Sequence, residues 1–164
     1  MSRDDYTRAR HDLGVCDVLE PESVGPPGQR HFRLRAAAEH GSALLWLEKE
    51  ELYELAITVK QVLRTGVRQT GVFGARASEG VMADFDFKVA GLALAHDRQT
   101  GRYLLLAQIS EEDEDDAVAL WVERDMLNRM ADRAFEVHSA GRPRCPLCGG
   151  PLNEGETHAC PRAN

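Results

Sequence analysis

Cys145, Cys148, His158 and Cys160 form the group whose types and spacing can do chemistry together. Three of the chain's four cysteines lie in its last twenty residues. Cys145 and Cys148 stand as a C-x-x-C pair, followed directly by Gly149 and Gly150. Two thiolates on one tight turn reach a single ion, and a glycine after the second takes the left-handed backbone such a turn requires. Nine residues intervene before His158, and Cys160 follows one residue later. The four make a full tetrahedral set for Zn2+, and a site closed by four protein ligands is structural rather than catalytic. The His-x-Cys pair is tighter than the usual spacing of roughly two to four residues. It works if Ala159 is extended enough to turn both side chains to one side.

The competing readings are a three-cysteine site with His158 as a bystander, a replacement ligand from Cys16, and a redox pair. The redox reading is poor: a thioredoxin-like C-x-x-C opens a helix after a strand, whereas Pro143, Pro146 and Pro151 forbid a regular helix here. A segment with so few apolar residues does not hold itself without an ion, so metal binding and folding of the tail should be coupled. The expectation is a zinc knuckle or half-ribbon joined through a hinge at Gly141-Arg142-Pro143.

The elements that must carry this tail show two periods. Leu13 to Leu19 reads as a strand, Glu20 to Gly28 as a proline- and glycine-rich turn, and His31 to Arg35 as a half-buried strand by its alternation. Ala43 to Leu47 is a third strand. Leu52, Leu55, Ala56, Val59 and Leu63 then recur at helical spacing, which predicts an amphipathic helix from Glu48 to about Arg64. Glu48, Glu50 and Glu51 suit the positive end of its dipole. After a Gly/Arg-rich stretch the pattern returns: a strand over Phe87–Ala95, a turn at Asp97–Gly101, strands over Arg102–Ile109 and Ala117–Val122, and a helix from Glu123 to about Ser139. Leu45-Trp46-Leu47-Glu48-Lys49-Glu50 matches Leu120-Trp121-Val122-Glu123-Arg124-Asp125, and Leu52, Leu55 and Ala56 fall on Leu127, Met130 and Ala131 at the same offset. The expected fold is therefore α+β: two tandem βββα repeats, an antiparallel sheet with helices on one face, plus a small C-terminal zinc knuckle. The expected divisions are a flexible tail over 1–11, a first unit over 12–64, a linker over 65–83, a second unit over 84–140 and the zinc-knuckle tail over 141–164.

No catalytic residue is assigned. The scattered His11, His31, His40, His96 and His138 announce no triad by spacing, which is weak negative evidence because spatial neighbours are invisible in sequence. Asp84 and Asp86 straddle Phe85, and alternation puts them on the solvent face of a strand rather than in a paired-carboxylate site. Glu111 to Asp116 is a run of six acids, read as a solvated, mobile loop, with a cation or basic-partner site as the sharper alternative. The 65–80 stretch reads as a connector; its glycines fit no phosphate loop or dinucleotide fingerprint, and an anion-contacting arginine loop is the alternative. Trp46 and Trp121 read as core aromatics, with a pocket lining as the rival. Cys16 reads as a buried thiol acting as a small apolar residue.

The chain has 164 residues, 43% hydrophobic and 29% charged, about one soluble domain with room for a core. Its net charge of -7 argues against a general nucleic-acid binder. No apolar run reaches membrane-spanning length, and the Met-Ser-Arg-Asp-Asp start lacks a signal-peptide core. Clustered cysteines without an export signal point to metal in a cytoplasmic protein rather than to disulfides.

Pro27-Gly28-Gln29-Arg30-x-Phe32, Leu47-Glu48-Lys49-Glu50, and above all Gly141-Arg-Pro-x-Cys-Pro-Leu-Cys148-Gly-x-Pro-Leu152 with His158-x-Cys160-Pro-Arg-x-Asn164 resemble the bacterial family known as domain of unknown function 3090. The resemblance spans nearly the whole chain and is most specific in the tail. It implies a cytosolic bacterial protein without an assigned activity. It also suggests a partner in a small pathway, because members are often encoded beside a kinase-like and a histidine-phosphatase-like protein. It supplies no catalytic residue, and the Gly/Arg stretch and the acidic run depart from the family pattern. Three functions remain open: a non-enzymatic protein-binding or adaptor module, a nucleic-acid-binding regulator using the zinc knuckle, and an enzyme with a site between the repeats drawing on Asp84, Asp86 or His96. The mildly basic tail, with Arg142, Arg144 and Arg162, lacks the stacking aromatics the second needs.

Overall fold

The computed structural model describes residues 9–66, 70–71, 82–140, 145–150, 152 and 157–163, with only the backbone of 70–71. β1 (His11–Val24), β2 (His31–Ala38) and β3 (Gly41–Leu47) lead into α1 (Lys49–Thr65). A two-residue β4 (Thr70–Gly71) and β5 (Ala83–Lys88) follow. β6 (Gly91–Asp97), β7 (Tyr103–Gln108) and β8 (Ala117–Val122) lead into α2 (Arg124–Ala140). The strands form one sheet in the order β4-β6-β7-β8-β1-β2-β3-β5. The expected α+β class and both helices stand, each within a residue or two of its predicted ends.

The sheet is mixed rather than antiparallel. β1-β2-β3 and β6-β7-β8 are antiparallel meanders. β1 pairs with β8, β3 with β5, and β4 with β6, all parallel. The expected single strand over Phe87–Ala95 is two strands. At the break between β5 and β6, Val89 N–H donates to Trp46 O at 3.0 Å and Ala90 N–H to Gln108 O at 2.8 Å. The backbone groups of the break are thus satisfied by two different strands, and the chain steps from one to the other.

β1 runs beyond its predicted end at Leu19, through Pro21 to Val24. Pro21 read as a break because proline donates no ladder hydrogen bond. It is tolerated because β1 pairs with β8 only over His11–Val15 and with β2 only from Cys16 onward. Residues 17–24 are thus an edge on one side among the described residues, which is where proline is allowed. Gly14, at φ +80°, sits in an irregularity of the β8 pairing between Asp12 and Val15, and a second irregularity lies in the β2 pairing between Cys16 and Val18; each resets the alternation once, so that Leu13, Cys16 and Leu19 are all buried.

Leu52, Leu55, Ala56, Val59 and Val62 of α1 face Leu127, Met130, Ala131, Ala134 and Val137 of α2. Together with Leu34, Leu45, Leu105 and Leu120 of the sheet they make one continuous core shared by both halves of the chain. β8 is buried along its whole length, and a smaller cluster of Ala95, Leu104, Leu106, Ala119 and Trp121 covers its other face. Cys16, 4% exposed, belongs to the main core, as its reading as a small apolar residue requires.

The acidic run, expected as a mobile loop, is more ordered than its composition suggested. The acidic run is held against the start of β1: Arg10 pairs with Asp113 at 2.9 Å and Asp116 at 3.6 Å, and its N–H donates to Asp115 O. Charge repulsion within six acids is relieved by this one arginine, whose proximity lowers the carboxyl pKa of Asp113. The Gly/Arg stretch, expected as a bare connector, contributes β4; its residues 67–69 and 72–81, with Arg68 and Arg76, lie outside the described residues. Of the tail expected over 1–11, residues 1–8 lie outside the described residues, whereas Arg10 bonds to Asp115 and His11 opens β1; the hinge expected at 141–143 also lies outside them.

Candidate metal centre

The C-x-x-C segment turns because its glycines let it. Gly149 N–H donates to Cys145 O at 2.8 Å, Cys145 N–H to Gly150 O at 2.8 Å, and Gly149 takes φ +72°. This knot points both sulfurs the same way. From the later segment of the tail, His158 and Cys160 both reach the same point. The i,i+2 pair therefore does turn to one side. Cys160 O accepts Ala163 N–H at 3.2 Å, and Arg162 donates to Leu147 O at 3.5 Å, tying the second ligand pair to the first turn.

The sulfur of Cys145 lies 3.8 Å from that of Cys160, and Cys148 Sγ lies 3.3 Å from His158 Nε2. All four ligand atoms lie within 4.8 Å of one another. Two sulfurs each about 2.3 Å from one ion at the tetrahedral angle stand about 3.8 Å apart, so the spacing fits a shared ion. Three thiolates and one imidazole are a borderline-soft set that suits Zn2+. Cys145 is buried and the other three are half-buried. The cluster can hold a metal ion, and its chemistry is compatible with zinc.

The thiols are set unequally. Backbone N–H groups of Cys148 and Leu147 aimed at Cys145 lower its pKa to about 6. That of Cys148 is raised: the Gly150 N–H at 3.4 Å works against this, but desolvation and the neighbouring Cys145 outweigh it. Cysteine binds a metal as the thiolate, so metal binding at this cluster would release protons.

The other candidates go separate ways. Asp84 and Asp86 lie on the exposed face of β5, accepting from Ser42 Oγ at 2.6 Å and Trp46 Nε1 at 2.6 Å. His96 stacks on Tyr103 with centroids 4.6 Å apart. None of the three lines any of the grooves described here. Trp121 is a core residue, whereas Trp46 is half-exposed, carries the Arg33 guanidinium 5.1 Å from its ring centroid, and helps line a groove with Arg30, His31 and Lys88. Sequence reasoning missed the indole–carboxylate contacts: Trp121 Nε1 donates to Asp12 at 3.2 Å as Trp46 does to Asp86. Nothing in the sequence signals them, because the partners stand 109 and 40 residues apart.

The fold and site together define a class: an α+β protein with a C-terminal cluster of three cysteines and one histidine able to hold a metal ion. A family model described as a protein of unknown function (DUF3090) matches residues 11–160. The chain belongs to that family. No curated protein and no solved structure matches it. No helix among the described residues is long and apolar enough to cross a membrane.

Proposed function

We propose that this protein is a non-enzymatic protein-binding or adaptor module of the bacterial cytoplasm whose C-terminal tail folds around one structural Zn2+. The observation that carries the reading is the convergence of Cys145, Cys148, His158 and Cys160 within 4.8 Å, with no ligand position left to solvent by the donor count. A closed site gives zinc no open position for substrate, so the metal shapes a surface and does no chemistry. The separate engagement of Asp84, Asp86 and His96 favours the same reading over an enzyme.

The platform beneath the tail is read as an internal duplication of a strand-rich unit ending in a helix. Its support is a matched exchange: β5 adds in parallel to β3, β1 adds in parallel to β8, and each incoming strand delivers an aspartate to the tryptophan of the receiving one. The partner is another protein, with the kinase-like and histidine-phosphatase-like neighbours of the family the first to try. Titration calorimetry of the zinc-loaded chain against each neighbour tests this. Binding by the native protein that is lost in Cys145→Ser supports a tail-built recognition surface. Turnover of a small substrate, or retention of nucleic acid at physiological salt, contradicts it.

A further inference from the structure

β8 ends where α2 begins, so beyond Val15 the helix replaces a neighbouring strand beside β1. Between the free edge of β1 and α2 lies a groove of about 830 Å3. Its floor is Leu19, Pro21, Met126 and Met130, and Arg129 and Arg133 stand on its helix wall. A corresponding groove of about 230 Å3 lies between β6 and α1. The correspondence is fixed by register. Phe32 faces Leu47 as Tyr103 faces Val122, and counting outward sets Ser23–Val24 of β1 at the position of His96–Asp97 of β6. The helix walls match too: Glu51, Glu54, Leu55 and Thr58 have the spacing of Met126, Arg129, Met130 and Arg133.

The two edges differ in what lies on them. At His96–Asp97 the chain's own β4 pairs in parallel. Among the described residues nothing pairs with β1 at Ser23–Val24 on that side. The walls also differ in charge. The β6 groove carries Glu51 and Glu54, and the segment leading to β4 carries Arg64 and Arg68 in sequence. The β1 groove carries Arg129 and Arg133, the second also paired with Glu136 on the exposed face of α2 at 2.7 Å; of its own acids, Glu20 and Glu22 are held by Arg35 and Arg33, and Asp17 also lines it.

We propose that the β1–α2 groove binds an extended, acidic segment of a partner protein, which adds to β1 as a parallel strand as β4 adds to β6. Strand addition supplies main-chain hydrogen bonds, and pockets for alternate side chains supply selectivity. Apolar side chains of the segment meet Met126 and Met130, whose flexible thioethers suit varied partners, and its carboxylates meet Arg129 and Arg133. This names the partner chemistry for the protein-binding reading and rests on it.

The test uses the zinc-loaded full chain, labelled for amide NMR, and an end-blocked peptide of alternating glutamate and valine. Controls are its lysine–valine counterpart and a version N-methylated at alternate backbone positions. The expected result is a saturable shift of amides in residues 17–24 and 126–137 with the glutamate peptide alone, lost on N-methylation and in the Arg129→Glu, Arg133→Glu double variant at unchanged thermal midpoint. No shift at millimolar peptide, equal binding of the lysine peptide, or shifts mapped elsewhere overturns the proposal. So does protection from hydrogen exchange, in the free protein, of those 17–24 amides that point away from β2: a concentration-dependent sedimentation coefficient would then assign the edge to a second copy, and a constant one to the chain's own tail. If the peptide fails while a neighbour protein still binds, the adaptor reading survives and this groove is not its site.

Discussion

Two kinds of cysteine share this chain, and their surroundings set them apart. Cys16 is 4% exposed in the core, and burial first, with Asp17 beside it, pushes its thiol up to about 12. Cys145 is drawn down to about 6 by the backbone N–H groups around it. The thiolate is the nucleophile, so at pH 8 a thiol reagent should find no fast-reacting group in the zinc-loaded protein. Adding a chelator should expose three, and the fourth should react only at the rate of global unfolding. A fourth fast thiol would mean that Cys16 is not packed as described. At this scale the sequence was at its most legible. Three cysteines and a histidine within twenty residues are brought together mainly by local turns, and local turns are written in glycine and proline spacing. The indole–carboxylate contacts were not, because Trp121 and Asp12 stand 109 residues apart and only the sheet brings them together.

Among the elements, the parallel joins carry the weight that hairpins carry elsewhere. Gly41 opens β3 at φ +151°, and a Cβ there would lie 1.8 Å from the backbone oxygen of Ala83 on β5. Gly41→Ala must therefore push β5 off β3 and should cost about 3 kcal/mol, lowering the thermal midpoint by about 10 °C. Gly66→Ala, at φ +83° with open space around it, should cost only about 1 kcal/mol. Equal losses would deny that β3 and β5 meet as closely as described. On the outer face of β1 and β2, Glu22 accepts from Arg35 Nε at 2.7 Å and Arg33 Nε at 2.8 Å, which depresses its pKa. A depressed carboxylate stabilises above its unfolded pKa, and that contribution is lost as pH falls through the folded value. Glu22→Gln should therefore cost about 1 kcal/mol at pH 7, and the deficit in a urea titration should shrink as the pH drops below the ordinary glutamate range. A deficit that persists in acid would mean the loss is one of packing. Both helices were readable from their apolar stripes. The extension of β1 was not, because Pro21 is a stop signal unless the strand is known to be an edge.

At the scale of the whole molecule, one core joins both halves, with α1 against α2 and β1 passing from one meander to the other. Both strand-to-helix junctions were visible in sequence; the parallel pairings of β1 with β8 and of β5 with β3 were not, because periodicity reports which face a strand buries and says nothing about its neighbour. The tail stands apart from that core in composition, with proline, glycine and charge where the platform has leucine and alanine. On the zinc reading proposed above, its order comes from the ion, since about 10–16 kcal/mol of zinc binding is available to a short segment with no core of its own. The most direct measurement is native mass spectrometry of the reduced protein, with and without chelator, beside Cys145→Ser. The account predicts one zinc per chain in the native protein, removed by chelator and absent in the variant, with the amide signals of the tail collapsing while those of α1 and α2 persist. A well-folded, fully reduced protein that carries no metal and keeps an ordered tail would contradict it.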